Sequence, residues 1–162
     1  MIKTALYSKV KDYDFEKLFK KKKYAFFTEG AYNLNIIGVR AAGAQINNSF
    51  DDVIILIYKT PTGAWNRQIY QVTTDPGRYY MLNPATRKGT AILVPGQYRG
   101  AYEIGLHRGK YKALCQRKPV KVYRDANKND IYDWDPATLD EGLFGINIHK
   151  AGKLSKRVDR KS

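Results

Sequence analysis

Val53-Ile54-Ile55-Leu56-Ile57-Tyr58, closed by the turn residues Thr60-Pro61-Thr62-Gly63, decides the fold class. A continuous apolar run this short, rich in β-branched side chains and bounded by Pro and Gly, reads as a buried strand. Residues 65–73 then alternate in polarity, and Asp75-Pro76-Gly77 forms a turn in which Pro presets φ and Gly supplies a positive one. Working outward, residues 34–39 make another short apolar run. Residues 89–94 and 102–106 flank Pro95-Gly96-Gln97-Tyr98-Arg99-Gly100. Residues 111–116 and 120–123 follow, then an acidic loop and a last apolar run around Ile146. Turn signals recurring at roughly 8 to 12 residues predict a mainly β sandwich or barrel. The exception lies near the start, where Phe15, Leu18 and Phe19 sit at helical spacing among lysines. They predict one short amphipathic helix. The expected organisation is an N-terminal helical, basic extension over residues 1–30 and a β domain over residues 31–162.

A chain of 162 residues suits one domain and buries roughly 70% of its unfolded surface. With 43% apolar residues and 13 tyrosines, a packed core is within reach and intrinsic disorder is not expected. The net charge of +14 points to polyanionic partners, whether nucleic acid, anionic lipid or the anionic polymers of a bacterial envelope. Part of it sits near the ends, in Lys20 to Lys23 and in Lys150, Lys153, Lys156, Arg157, Arg160 and Lys161. A solvated basic face is the plainer explanation. One cysteine excludes an intrachain disulfide framework. The first residues lack the apolar segment of a secretory signal, and no run approaches the length of a membrane span. The product is therefore expected to start in a cytoplasm and stay soluble. Action at a cell wall would require another agent to carry the protein there.

Gly142-Leu143-Phe144-Gly145-Ile146-Asn147-Ile148-His149 holds the candidate catalytic group. The apolar run reads as a buried strand delivering one imidazole to its end. Imidazole titrates near neutrality and can take a proton from a thiol at working pH. A histidine on an apolar strand is also an ordinary satisfied core residue.

Together with Thr73-Thr74-Asp75-Pro76-Gly77 and Lys88-Gly89-Thr90-Ala91-Ile92-Leu93-Val94-Pro95-Gly96-Gln97-Tyr98, this segment resembles the L,D-transpeptidase (YkuD-type) catalytic domain, in the divergent version of tailed bacteriophages. The resemblance runs from about residue 48 to residue 162. It implies a YkuD-like β sandwich or barrel, peptidoglycan stem peptides as substrates, and no cofactor. In that family an Ile-x-x-His strand is followed by Ser-x-Gly-Cys, whose Cys accepts the acyl group while the His serves as base. His149 matches that histidine. Ser162, 13 residues on, lies where the second motif would begin, but its Gly and Cys are not in this sequence; the resemblance therefore implies a fold and a substrate class, with Cys/His acyl transfer only if the chain continues past Ser162. Cys115, in the apolar strand Lys112-Ala113-Leu114-Cys115-Gln116, does not match the motif and reads as a small buried hydrophobe.

Gln97, Tyr98, Arg99 and Tyr102 are the candidate substrate contacts. Arg grips a carboxylate bidentately, and Tyr and Gln read amides. His107, at a strand end beside Arg108, is a further cleft candidate, with solvent exposure as its plainer reading. Asp125, Asn127, Asn129 and Asp133 space oxygen side chains as calcium loops do. They lack the glycine and glutamate of the EF-hand pattern, so no metal is assigned and an Asx-rich turn is expected.

The competing reading is a non-catalytic virion structural or internal protein that reuses the fold and associates with DNA or other virion proteins. The charge suits it, and Tyr79, Tyr80, Tyr98 and Tyr102 beside basic residues would stack bases. No RNP sequence, helix-turn-helix or phosphate-binding glycine loop accompanies them.

Overall fold

The computed structural model describes residues 5–43, 48–129, 131–151 and 158. Ser162 and the basic residues Lys153, Lys156, Arg157, Arg160 and Lys161 lie outside the described residues, as does Asp130 of the acidic loop. The protein is mainly β, with 34% strand and 15% helix. It forms two compact units, Met1–Ala42 with Phe50–Thr74, and Gly43–Ser49 with Asp75–Ser162.

In the first unit, helix α1 (Ala5–Val10) and helix α2 (Phe15–Lys22) accompany a sheet of β1 (Asn35–Val39), β2 (Asp52–Lys59) and β3 (Trp65–Val72). β2 is the centre of the sheet and antiparallel to both neighbours. That position explains why its sequence is continuously apolar. Val53, Ile55 and Ile57 are buried with Ile37, Val10 and Phe15, and Leu18, Phe19 and Ile69 pack against them. The amphipathic helix thus lays its apolar face on the sheet. Asp14 caps it by accepting the Lys17 amide at 2.9 Å, and Lys23 ends it in the left-handed region.

The second unit contains helix α3 (Arg78–Leu82), β4 (Thr90–Leu93), β5 (Tyr102–His107), β6 (Tyr111–Gln116), β7 (Val120–Asp125), a 3₁₀ turn at Pro136–Thr138 and β8 (Asp140–Gly142). One sheet runs β4-β7-β8, and β5 pairs with β6 in a hairpin. Val120, Val122 and Ala101 are buried together, with Leu93, Tyr98, Tyr102, Phe144 and Ile146 packed against them. Met81, Ile92 and Tyr132 form a second small cluster.

The last apolar run differs from the expected strand. Beyond Gly142, which ends β8, only Ile148 pairs, in an isolated antiparallel bridge with Leu114 of β6. The reason lies in the preceding residues. Gly145 adopts φ +70°, and the Phe144 and Ile146 amides are turned onto the side-chain oxygen of Gln116. They are therefore not offered to a neighbouring strand.

β4 and β7 approach closely where Gly89 meets the end of β7. At φ +95°, a Cβ on Gly89 would lie 2.2 Å from the Asp125 carbonyl oxygen. That is backbone against backbone, with no side chain able to move aside. Gly89→Ala is expected to destabilise the protein by about 1–3 kcal/mol from backbone strain alone, seen as a lowered urea midpoint with unchanged m-value.

Candidate functional site

Residues paired across an antiparallel ladder share a face. In the β5–β6 hairpin, His107 pairs with Tyr111, Gly105 with Ala113 and Glu103 with Cys115. These six residues form one face; Tyr102, Ile104, Leu106, Lys112, Leu114 and Gln116 form the other. The bridge at Leu114 and Ile148 extends the alternation to a third segment. Ile148 falls on the Leu114 face, and its neighbours Asn147 and His149 fall on the His107 face. Two histidines separated by 42 residues are thereby brought together. Their rings stack at a centroid distance of 4.1 Å and an interplanar angle of 23°. Gly105 and Ala113, the smallest residues of this face, are paired beneath it.

The hydrogen bonds assign both imidazole tautomers. The Gln116 amide donates to Asn147 Oδ1 at 2.8 Å. This orients the Asn147 side chain, so its Nδ2 donates to His107 Nδ1 at 3.2 Å. Neutral His107 consequently carries its proton on Nε2. In His149, Nδ1 lies 3.0 Å from the Lys150 carbonyl oxygen. A carbonyl can only accept, so Nδ1–H is the donor, and it is shared with the Tyr111 hydroxyl at 3.2 Å. The lone pair of neutral His149 is therefore on Nε2. Among the described residues that nitrogen has no hydrogen-bond partner.

Burial lowers the His107 pKa, and the adjacent His149 and Arg108 lower it further. The same geometry opposes protonation, because an Nδ1–H would face the Asn147 N–H. Cationic groups surround the face. Arg117 Nη2 would be 2.7 Å from a Cβ on Gly105, and Lys150 Nζ stands 4.9 Å from the Tyr111 ring centre.

Gln116 holds this arrangement from below. Its Nε2 donates to the carbonyls of Lys118 at 2.9 Å and Gly142 at 2.8 Å. Its Oε1 accepts the amides of Phe144 at 3.0 Å and Ile146 at 3.2 Å. Buried at the end of β6, the side chain uses both donors and both lone pairs.

Of the remaining residues singled out from sequence, Cys115 shares the His107 face but is buried beneath it, and the others lie elsewhere. The Tyr98 hydroxyl donates to the Val94 carbonyl at 2.7 Å, and its ring packs on the Val120 and Val122 cluster. Tyr102 packs on the same cluster, on the hairpin face opposite His107. Its pKa is raised by burial and by neighbouring Tyr98. Gln97 is half-buried and Arg99 exposed, both in the turn before β5. Cys115 is 3% exposed. Asn147, Tyr111 and Gln116 join the site unannounced by sequence. The only available signal was that Asn147 and His149 stand two apart, hence on one face if extended. Among the described residues no three His, Cys, Asp or Glu side chains cluster as metal ligands, and no helix is long and apolar enough to cross a membrane.

No family model matches the chain, and no curated protein or solved structure is significantly similar to it.

Two outcomes test the geometry. Gln116→Ala strands the four groups that the amide pairs and should cost on the order of 3 kcal/mol, with the His149 ring signals losing the shifts that stacking on His107 produces. The lowered His107 pKa means that the unfolded chain binds this proton more readily than the folded one. Its contribution to stability is thus present above about pH 6.5 and is lost as pH falls toward the folded value. Denaturation between pH 7.5 and 5.5 should show this slope, and His107→Gln should reduce it.

Proposed function

We propose that this protein is an L,D-transpeptidase-like acyl-transfer domain acting on the stem peptides of bacterial peptidoglycan, with His149 as its general base. The observation that carries the reading is the tautomer of His149. Tying Nδ1–H to the Lys150 carbonyl leaves a basic Nε2 on a half-exposed sheet face, the disposition needed to deprotonate a nucleophile. By the resemblance in residues 142–149 that nucleophile is a cysteine thiol, supplied if the chain continues past Ser162 into a Ser-x-Gly-Cys motif. Cys115 is too deeply buried in β6 to serve.

The remaining groups have consistent roles. The neutral His107 ring stacked on His149 fixes the plane of the base without adding a positive charge beside it. Arg117 and Lys150 supply cations at the same face, suited to the free carboxylates of a stem peptide. In the complete reaction the thiolate attacks a stem-peptide carbonyl and expels an amine, which leaves with the proton held by His149. Water or a second amine then releases the acyl group from the thioester.

The test is turnover of tetrapeptide stems by the native gene product. His149→Ala should lower kcat by roughly 10²–10⁴, while Tyr98→Phe, remote from the face, should leave it nearly unchanged. An undiminished rate in His149→Ala removes the base from the mechanism. Absence of turnover in both, with DNA affinity falling steeply with salt, would support the virion structural role instead.

A further inference from the structure

The geometry points to a calcium site in the loop after β7, built from Asp125, Asn127, Asn129 and Asp133. Spacing alone is met equally by an Asx-rich turn, and the hydrogen bonds show such turns. Asn127 Oδ1 accepts the Asn129 amide at 3.2 Å, and Asn129 Oδ1 accepts the Ile131 amide at 3.0 Å. What an Asx turn leaves unexplained is Asp125.

Asp125 is 2% exposed. Its Oδ2 accepts the Asp133 amide at 2.9 Å, which aims the carboxylate into the loop. Its Oδ1 is buried without a hydrogen-bond partner among the described residues. Asp133 lies against the same centre, its Oδ2 meeting Asn127 Nδ2.

A buried carboxylate oxygen with no donor is costly, and a second carboxylate nearby adds to the cost. One divalent cation relieves both. The donors are all oxygens, which selects a hard cation. Two carboxylates balance its charge, and two side-chain amide oxygens add neutral donors. That mixed and adaptable set suits the six to eight ligands of Ca²⁺ better than the small octahedron of Mg²⁺. Tyr132 anchors the loop through its hydroxyl on the Pro76 carbonyl at 2.9 Å, and Gly89 packs against its first peptide. Occupation would therefore stiffen a loop already fixed at its base.

The experiment is titration of the chelator-treated full chain with CaCl₂ and, separately, MgCl₂, read by thermal unfolding and by calorimetry. Ca²⁺ should bind with Kd on the order of 10⁻⁴–10⁻³ M, the range of weakly charged loops. At tenfold excess over Kd it should raise Tm by a few degrees, with Mg²⁺ at least tenfold weaker. Asp133→Asn should weaken Ca²⁺ at least tenfold. Asn129→Asp, which adds a carboxylate at the same position, should tighten it several-fold, a gain that a purely structural Asx turn does not produce. The proposal is overturned if Ca²⁺ gives no shift in the parent chain. It is equally overturned if Mg²⁺ matches Ca²⁺, or if Asp133→Asn and the parent respond alike.

Discussion

The second unit depends on one buried amide. Gln116 ends β6, and its side chain supplies the pairing that the segment 142–146 does not find in a sheet. A buried main-chain amide or carbonyl left without a partner costs about 1–3 kcal/mol, so a chain leaving β8 through two glycines must be met by some polar group. The glutamine meets it with both donors and both acceptor sites, whereas a strand would have demanded a regular ladder. Because that loop is held irregular, only Ile148 reaches β6 as a bridge, and the next residue is released to turn its ring over the hairpin. The Gln116 backbone continues the control by orienting Asn147, which in turn orients His107.

The two histidines consequently have different duties although they touch. His107 accepts on Nδ1 from a group that can only donate, so protonation there would oppose two N–H groups. His149 donates from Nδ1 to a carbonyl and keeps the opposite nitrogen for a proton. Stacking a neutral ring on His149 restricts its orientation while sparing it the repulsion of a second cation. Arg108 contributes to the same outcome by disfavouring charge on His107.

Charge is organised locally in the second unit. Asp140 receives Lys88 at 3.2 Å and Arg124 at 3.1 Å, and those hydrogen bonds hold its carboxyl below the ordinary carboxylate range. The Arg124 guanidinium also lies 4.5 Å from the Phe144 ring centre. One arginine thus joins β7, β8 and the loop leading to His149. On a chain of net charge +14, placing the few carboxylates at such junctions turns surplus cations into structural ties.

The strands were legible because their signals are local. β2 betrays its burial by an unbroken apolar run, and β6 spans the same residues that periodicity predicts. Helix α2 shows its sheet-facing side in Phe15, Leu18 and Phe19. The helices Ala5–Val10 and Arg78–Leu82 are too short for a 3.6-residue period to register, and they form through packing and turn geometry. His149 was visible as an imidazole on an apolar run, yet its tautomer was not. That property rests on a carbonyl one residue away in sequence but turned toward it by the fold. The meeting of His107 with His149, and the burial of Asp125 with an unpaired oxygen, come from register between strands distant in sequence. Composition and periodicity specify which residues are apolar and how they alternate; register depends on turns and on side chains such as Gln116 that satisfy backbone across the chain, and no local pattern encodes it.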